Sequence, residues 1–497
     1  MRSYVRLGIR NRPMLTSYGL LDSYRHSIAG SDCMIEKSLE CGEGFAVTNA
    51  YEIEDRKRLR KLMEKEIREG KYTQEFFDAI DKTYKDCARD IKQFWKLDHS
   101  QSSPEDLIGY FDRFFHIYVT TIHPMVLAIY ASDLQDIFEA ELKKVLKKDS
   151  SQEELMGTLS LLLTPTRLTQ VQKEEQVLLE LQRDFESSVP ATSREAFESY
   201  VNKPVAQRVL KELEEHYGFF HMEYIGEPKL ADEYKELLWT RVEETRGSEE
   251  WKNQLSPRER LQQIISEQQR FFEEHTCSGF FHDLVFAMQE FLIVLDYSKA
   301  DLVEGIYYAR PLLDELGKRL GLGDWIGIRY LLPDELKDAL RDGKKFDETY
   351  IADRRKRFAF VLQDMTIAPY FGEDAVRIVD ELLQKDNPGN VKEFKGLTAF
   401  PGKVRGVACI VTGAQDRDKF QQGQIMVTRD TTTELTSIIK KASAIIADQG
   451  SMLSHTAIVS REFKIPCLVQ TKFGTKVVKD GDEIEVDASN GIVRILS

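Results

Sequence analysis

Apolar residues recur three and four positions apart through much of the chain. Leu261, Ile264, Ile265, Gln268, Phe271 and Phe272 form one such stripe, and Ser256-Pro-Arg-Glu259 ahead of it is a capping box with Pro at the first helical position. Helical character is expected to persist, with breaks, to about Leu320. Ser103-Pro-Glu-Asp106 opens another helix, with Leu107, Tyr110, Phe111, Phe114 and Phe115 on its apolar side. Ser151-Gln-Glu-Glu154 opens a third, which Pro165 should end or kink, and Leu168 to Phe185 is a fourth. Asp55 to Arg68 is charged nearly all round and reads as a solvated helix. No assignment is made from Met1 to Ala50, where Gly, Ser and Asn mix without periodicity, and no fixed-period repeat stands out. Near Glu393 the pattern changes to short β-branched runs between Gly-rich turns. Strands are expected at Val407–Val411, Gln424–Val427, Ala444–Ala447, Cys467–Val469, Glu483–Val486 and Ile492–Leu496. Asp386-Asn-Pro-Gly-Asn390 is a turn cluster at the junction. The fold class is therefore multi-domain: a large, mainly α-helical part over 1–385 with room for two subdomains, a linker at 386–395, and a small α/β domain over 396–497.

Composition narrows this picture. With 497 residues, two to four domains are expected, and 42% hydrophobic residues argue against a largely disordered chain. A net charge of −14 lacks the basic footprint of a nucleic-acid binder. That charge is uneven: from Glu393 onward there are 14 basic and 12 acidic residues, net +2, leaving −16 for the 392 residues before it. No uninterrupted apolar run approaches the roughly 18–20 residues that cross a bilayer, so no membrane association is expected. Met1-Arg-Ser-Tyr-Val-Arg leads into no apolar segment of the kind that directs secretion. The six cysteines (Cys33, Cys41, Cys87, Cys277, Cys409, Cys467) lie far apart without a C-x-x-C pair, which fits a reducing, cytoplasmic setting.

Candidate chemistry in the helical half is sparse. His216 and His221 flank an aromatic patch, but their spacing of five does not suit a helical metal pair. His275 and His282, seven apart, would share a face on one helix. Gly42-Glu-Gly44 and Gly321-Leu-Gly323 complete no dinucleotide or phosphate-binding loop. The carboxy-terminal half is sharper. Asp448 to Pro466 reads as a strand, a loop of small residues, and a helix from near Ser454 to about Glu462. His455 then sits in the helix's first turn, where unpaired backbone N–H groups and the helix dipole favour an anion. Ser451, Ser454 and Thr456 add hydroxyls; Arg461, six residues on, would need the loop to fold back to reach the same anion. A neutral imidazole there is a nucleophile able to accept a phosphoryl group. On spacing alone, a cap or packing residue is the commoner reading of a lone His at a helix start.

Gly450-Ser-Met-Leu-Ser-His-Thr-Ala-Ile-Val-Ser-Arg-Glu-Phe-Lys-Ile-Pro466 resembles the phosphohistidine motif of the phosphoenolpyruvate-utilising enzymes, G-G-x-x-S-H-x-A-I-x-A-R-E-x-x-I-P. Phe400-Pro-Gly-Lys-Val-Arg-Gly406, Gly423 to Thr432 and Lys479 to Asp487 resemble that family's opening segment, threonine loop and closing hairpin. The resemblance covers 396–497 and implies a swivelling phosphohistidine domain in which His455 accepts phosphate. It implies phosphate-binding or supporting roles for Gly450, Ser451, Ser454, Thr456, Arg461, Thr431 and Thr432. Two departures stand out: Ser451 replaces the second glycine, and Thr431-Thr-Thr-Glu434 replaces threonine-x-proline. Upstream, Leu312 to Leu336 resembles the segment preceding this domain in rifampicin-phosphotransferase and phosphoenolpyruvate-synthase-like proteins. Arg354-Arg-Lys-Arg357 sits where they carry basic residues, though a solvated charge run reads the same way.

In such enzymes an ATP-grasp domain charges the histidine from ATP, with release of AMP and phosphate. The histidine domain then carries the group to an acceptor. Neither an ATP-grasp pattern nor the β/α alternation of a barrel is readable here. The resemblance thus implies the acceptor and carrier parts of a dikinase-type phosphotransferase, charged by an ATP-grasp partner subunit. Magnesium would accompany the ATP, held mainly on that partner, and no tightly bound cofactor is implied. The acceptor would be a small molecule with a hydroxyl or enolate. Aromatic residues from Phe219 to Tyr224 and at Phe280-Phe-His282 are its candidate apolar lining, or simply core. The alternatives are a phosphoryl carrier that regulates a partner, a protein charged from phosphoenolpyruvate through a partner, and a degenerate, non-catalytic relative.

Overall fold

The computed structural model describes residues 4–11, 14–23, 35–43, 46–146, 150–189, 193–222, 226–246, 254–383, 391–413, 416, 418–429, 431, 435–450 and 454–496. The chain forms two compact units, Met1–Thr164 with Thr276–Ser497, and Pro165–His275.

The spine of the first unit is the helix Gly279–Arg319, 41 residues long and capped by Ser278, which accepts the Phe281 N–H at 3.2 Å. It packs against the helices Pro104–Ala131 and Gln74–Ile91. Phe291 meets Phe77 and Tyr72 edge-on at 5.2 and 5.1 Å, an arrangement aromatic quadrupoles favour. Burying each such ring contributes about 1.5–3 kcal/mol by area removed from water.

The capping boxes at Ser103 and Ser256 form as their sequences predict. Ser151 caps Gln152–Leu162, which stops short of Pro165, and Thr169 caps Gln170–Ser188. The run expected from Ser256 to Leu320 is two helices, Pro257–Glu274 and Gly279–Arg319. His275 ends the first of them, stacked on Phe271 at 4.4 Å with its Nδ1 2.9 Å from the Phe271 carbonyl oxygen. It therefore shares no helix with His282. The helix Ile53–Arg68 is not solvated all round, because Leu59, Met63 and Ile67, four apart, bury one stripe. On that buried side Asp55 accepts from the N–H groups of Glu36 and Lys37 at 2.9 and 3.0 Å.

The helical part also holds a sheet that periodicity did not reveal. Strands β1 (Tyr4–Asn11), β2 (Ser38–Glu43), β3 (Ala46–Glu52), β4 (Phe358–Gln363) and β5 (Thr366–Phe371) pair antiparallel in the order β1-β3-β2-β4-β5. The stretch Pro104–Val145 contains an 18-residue window of mean hydropathy 1.4, long and apolar enough by composition to cross a membrane. A search for unbroken apolar runs overlooks it, since Thr120, Thr121 and His123 interrupt the run. In the fold 72% of that window is buried, so its apolar character serves the core.

The basic run Arg354–Arg357 begins with a buried side chain. Arg354 makes two 2.7 Å bonds to the Glu335 carboxylate, a 3.1 Å bond to the Tyr330 carbonyl, and lies over the rings of Tyr350 and Phe371. Its planar fork joins the helices Pro333–Asp342 and Glu348–Lys356 to β5.

The carboxy-terminal strands are β6 (Glu393–Lys395), β7 (Leu397–Phe400), β8 (Lys403–Val411), β9 (Ile425–Thr428), β10 (Ala444–Ala447), β11 (Cys467–Val469), β12 (Glu483–Asp487) and β13 (Ile492–Ile495). Their order is β6-β13-β12-β8-β9-β10-β11-β7, with β8, β9, β10 and β11 mutually parallel and the other pairs antiparallel. All six strands expected here are present. The two extra ones, β6 and β7, are short edges. Of the expected linker, 386–390 lies outside the described residues, while Glu393–Lys395 already belongs to the sheet as β6. Ile425, Val427, Ala444, Ile446, Leu468, Ile484 and Val486 form the core of this sheet.

Candidate functional site

The parallel strands β9, β10 and β11 each deliver a loop at their carboxyl ends, the place where open α/β sheets bind ligands. Backbone hydrogen bonds tie the three loops together. The Asp448 N–H donates to the Thr428 carbonyl at 3.0 Å, Gln449 to Arg429 at 2.9 Å, and Thr471 to Ala447 at 3.1 Å. The middle loop then turns sharply. Gly450 has φ +104°, and a Cβ there would stand 2.8 Å from the Ser454 Oγ. Only glycine fits that approach.

Ser454 is the N-cap of the helix His455–Phe463, with φ −77° and ψ 160°, its side chain accepting the Ala457 N–H at 3.4 Å. His455 is thus the first helical residue, one position beyond the cap, in the turn whose backbone N–H groups lack helical partners. The helix closes with Lys464 in the left-handed conformation, φ +54°, and Pro466 follows.

The hydroxyls of Thr431 and Thr456 meet at 2.8 Å, so the β9 loop is pinned to the helix directly after His455. Both threonines are buried. Arg461 is buried too; burial pushes its pKa down to about 10, while the neighbouring Cys467 thiol pulls it back up. Burial likewise pushes the Cys467 thiol up to about 12, against the lowering effects of Ser460 and Arg461. Of the remaining site residues expected from sequence, Ser451 and Thr432 lie outside the described residues.

One group of supporting residues was not singled out from sequence. Asp448, buried at the end of β10, accepts the Thr471 hydroxyl at 2.9 Å, the Thr475 N–H at 3.1 Å and the Thr475 hydroxyl. It thereby ties the start of the histidine loop to the loop and short helix after β11. An acid directly after a buried strand and two residues before Gly450 was the available signal.

Several of the aromatic residues suggested as an acceptor lining are packed. Phe219 is buried, Phe281 lies against Phe138 at 5.4 Å, and Phe280 carries the Arg68 guanidinium at 3.6 Å. Residues 223–225 lie outside the described residues. Among the described residues no group of three or more His, Cys, Asp or Glu is placed to hold a metal ion.

Comparison with known proteins agrees with the family resemblance of the carboxy-terminal part. Residues 420–491 match the mobile domain of PEP-utilising enzymes. A probable phosphoenolpyruvate synthase of Archaeoglobus fulgidus is 32% identical over 180 residues, 36% of this chain and 22% of the relative. Its counterpart in Staphylothermus marinus is 43% identical over 101 residues, 20% of this chain and 12% of the relative. The uncharacterized phosphotransferase YvkC of Bacillus subtilis is 30% identical over 200 residues, 38% of this chain and 24% of the relative. The chain spans no more than 24% of the length of these three proteins. Residues 420–491 are therefore similar to the mobile domain found in PEP-utilising enzymes.

Proposed function

We propose that this chain is the carrier and acceptor part of a phosphotransferase in which His455 is transiently phosphorylated. The observation that carries this reading is the Ser454-capped helix opening on His455 directly after the Gly450 turn, within a domain that matches the mobile family. With ATP as donor, a neutral ring nitrogen attacks the β-phosphorus and the P–O bond to AMP breaks with its electron pair; water then removes the γ-phosphoryl group as phosphate, leaving one phosphoryl group on the ring. The helix's free N–H groups and the cap hydroxyl favour the added negative charge. In the second step an acceptor oxygen attacks that phosphorus and the P–N bond breaks towards the ring.

The donor is proposed to be ATP acting through a separate ATP-grasp subunit, and the acceptor a hydroxyl or enolate compound held by the helical part. The cytoplasm is the proposed compartment. Mixing the chain with ATP, magnesium and a candidate ATP-grasp protein should place acid-labile phosphate on His455 and release AMP. The H455A variant should take up none. Labelled phosphoenolpyruvate in place of ATP distinguishes the donors. Absence of acid-labile phosphate with either donor would sink the proposal.

A further inference from the structure

Among the described residues, five that are not glycine have positive φ: Asp364, Met365, Lys464, Gln470 and Lys472. Three of them follow from their place in the chain. Asp364 and Met365 turn the β4–β5 hairpin, and Lys464 closes the helix His455–Phe463. Gln470, at φ +56°, and Lys472, at φ +70°, lie between β11 and the short helix Gly474–Val477, where neither a hairpin turn nor an α-helix end calls for them. The left-handed region crowds any side chain, and glycine is the residue that usually fills it. Asn and Asp offset part of the cost with a local hydrogen bond. Gln470 and Lys472 do not, because among the described residues neither side chain makes a hydrogen bond or ion pair. Backbone strain of this kind gathers at functional sites.

Thr471, between them, fixes where they stand. It is fully buried, its N–H donates to the Ala447 carbonyl at 3.1 Å, and its hydroxyl donates to the Asp448 carboxylate at 2.9 Å. The Lys472 N–H donates to the Asp448 carbonyl at 3.0 Å. Gln470 and Lys472 therefore flank the end of β10, from which the chain runs through Gly450 and the Ser454 cap into His455. On the other side of β10, Arg429 stands at the end of β9, its carbonyl accepting the Gln449 N–H at 2.9 Å. Among the described residues of these three loops, 429, 431, 448–450, 454 and 470–473, the exposed charges are those of Arg429 and Lys472. Asp448 is buried, and its carboxylate is taken up by Thr471 and Thr475. The histidine loop thus leaves the sheet between two cations, with a side-chain amide beside one of them. Such donors suit the oxygens of a phosphoryl group.

We propose that Gln470 and Lys472 are phosphate-contacting residues of the His455 site. The Lys472 ammonium and the Gln470 side-chain amide donate hydrogen bonds to the phosphoryl oxygens as His455 receives and holds the group. This role rests on the phosphohistidine reading and adds two residues that lie outside the histidine motif. Glycine at 470 and 472 would relieve the backbone but would offer the phosphate no donor.

Phosphoramidate tests this on the full chain without a partner protein. A neutral histidine nitrogen attacks its phosphorus, the P–N bond breaks, and ammonia leaves with the electron pair and takes up the ring N–H proton. Acid-labile phosphate on His455 is followed by peptide mapping, with the exposed His216 and His282 as internal references. Lys472→Gly should slow labelling of His455 about tenfold and Gln470→Gly about threefold, the sizes of a charge-assisted and a neutral hydrogen bond. Neither should change labelling of His216 and His282, and neither should lower Tm. Lys472→Ala, which keeps the strained backbone, should slow labelling as K472G does, while Lys472→Arg should restore most of the rate. Unchanged labelling in K472G, a lower Tm in K472G, or equal losses in K472R and K472A would overturn the assignment. Wild-type chain labelled at His216 and His282 but not at His455 would instead bring down the phosphohistidine reading and this role with it. That result is seen in the wild type before any variant is compared, so the two failures are distinguishable.

Discussion

Gly450 is where the histidine loop has least freedom. With φ at +104° and the Ser454 Oγ only 2.8 Å from where a Cβ would stand, Gly450→Ala should cost about 1–3 kcal/mol, read as a lower urea midpoint. Asp448 is the second such residue. Asp448→Asn turns an amide nitrogen towards donors at Thr471 or Thr475, and that mismatch should cost about 1–3 kcal/mol in the same measurement. An unchanged midpoint in D448N would show that the network does not hold the loop. The two residues differ in how far sequence reveals them. Gly450, Ser454 and His455 lie within one short motif whose spacing already implies turn, cap and helix start. Asp448 acts on Thr471 and Thr475, which are 23 and 27 positions away. That relation exists only once β10 and β11 are paired.

At the scale of elements, legibility followed whether the signal was local. Helix starts were readable because Ser103 and Ser256 carry their cap partners three residues on. The β4–β5 hairpin was not. Its two turn residues, Asp364 and Met365, take φ +50° and +60° without a glycine to announce the turn. Strand β2 finds β4 more than three hundred residues later, with Leu39 opposite Val361. Arg354 holds this region by charge and stacking. Arg354→Met, which leaves Glu335 without its bidentate partner, should cost about 3–5 kcal/mol, measured by urea unfolding. On the carboxy-terminal sheet, Glu485 of β12 sits between Arg405 of β8, Lys403 and Arg494 of β13. Hydrogen bonds from Arg405 and Lys403 pull its carboxyl down to about 2. A lowered carboxylate contributes stability above its unfolded value of about 4.3 and loses it as pH falls towards 2. The stability gap between wild type and Glu485→Gln should therefore be constant near neutrality and close between pH ~4.3 and ~2. A gap independent of pH would contradict the charge ladder.

For the whole molecule, the discontinuity of the first unit is the feature that sequence hinted at least. The helix Gln152–Leu162 stops just before Pro165, but nothing local says that the chain leaves one compact unit there and re-enters it after His275. The intervening 165–275 has its own core, in which Leu178, Phe185, Phe197, Tyr200, Leu210, Leu213, Tyr234 and Leu238 are buried together. Polar groups within it are matched as well: the fully buried Tyr234 donates to Glu174 at 2.7 Å, and Arg241 makes a two-pronged bond to Glu175 at 2.6 and 2.8 Å. A segment of this size with a closed core is large enough to fold alone. Residues 165–275 expressed by themselves should therefore unfold in urea as one cooperative transition, with m of about 1–2 kcal/mol/M. Tyr234→Phe removes one buried donor and should lower that transition by about 1–2 kcal/mol. In the full chain the same substitution should move one transition by the same amount and leave the unfolding of the other unit where it was, because effects on separately packed cores add independently. A fragment that melts without cooperativity, or a Y234F shift shared by both transitions, would mean that 165–275 draws its stability from the rest of the chain.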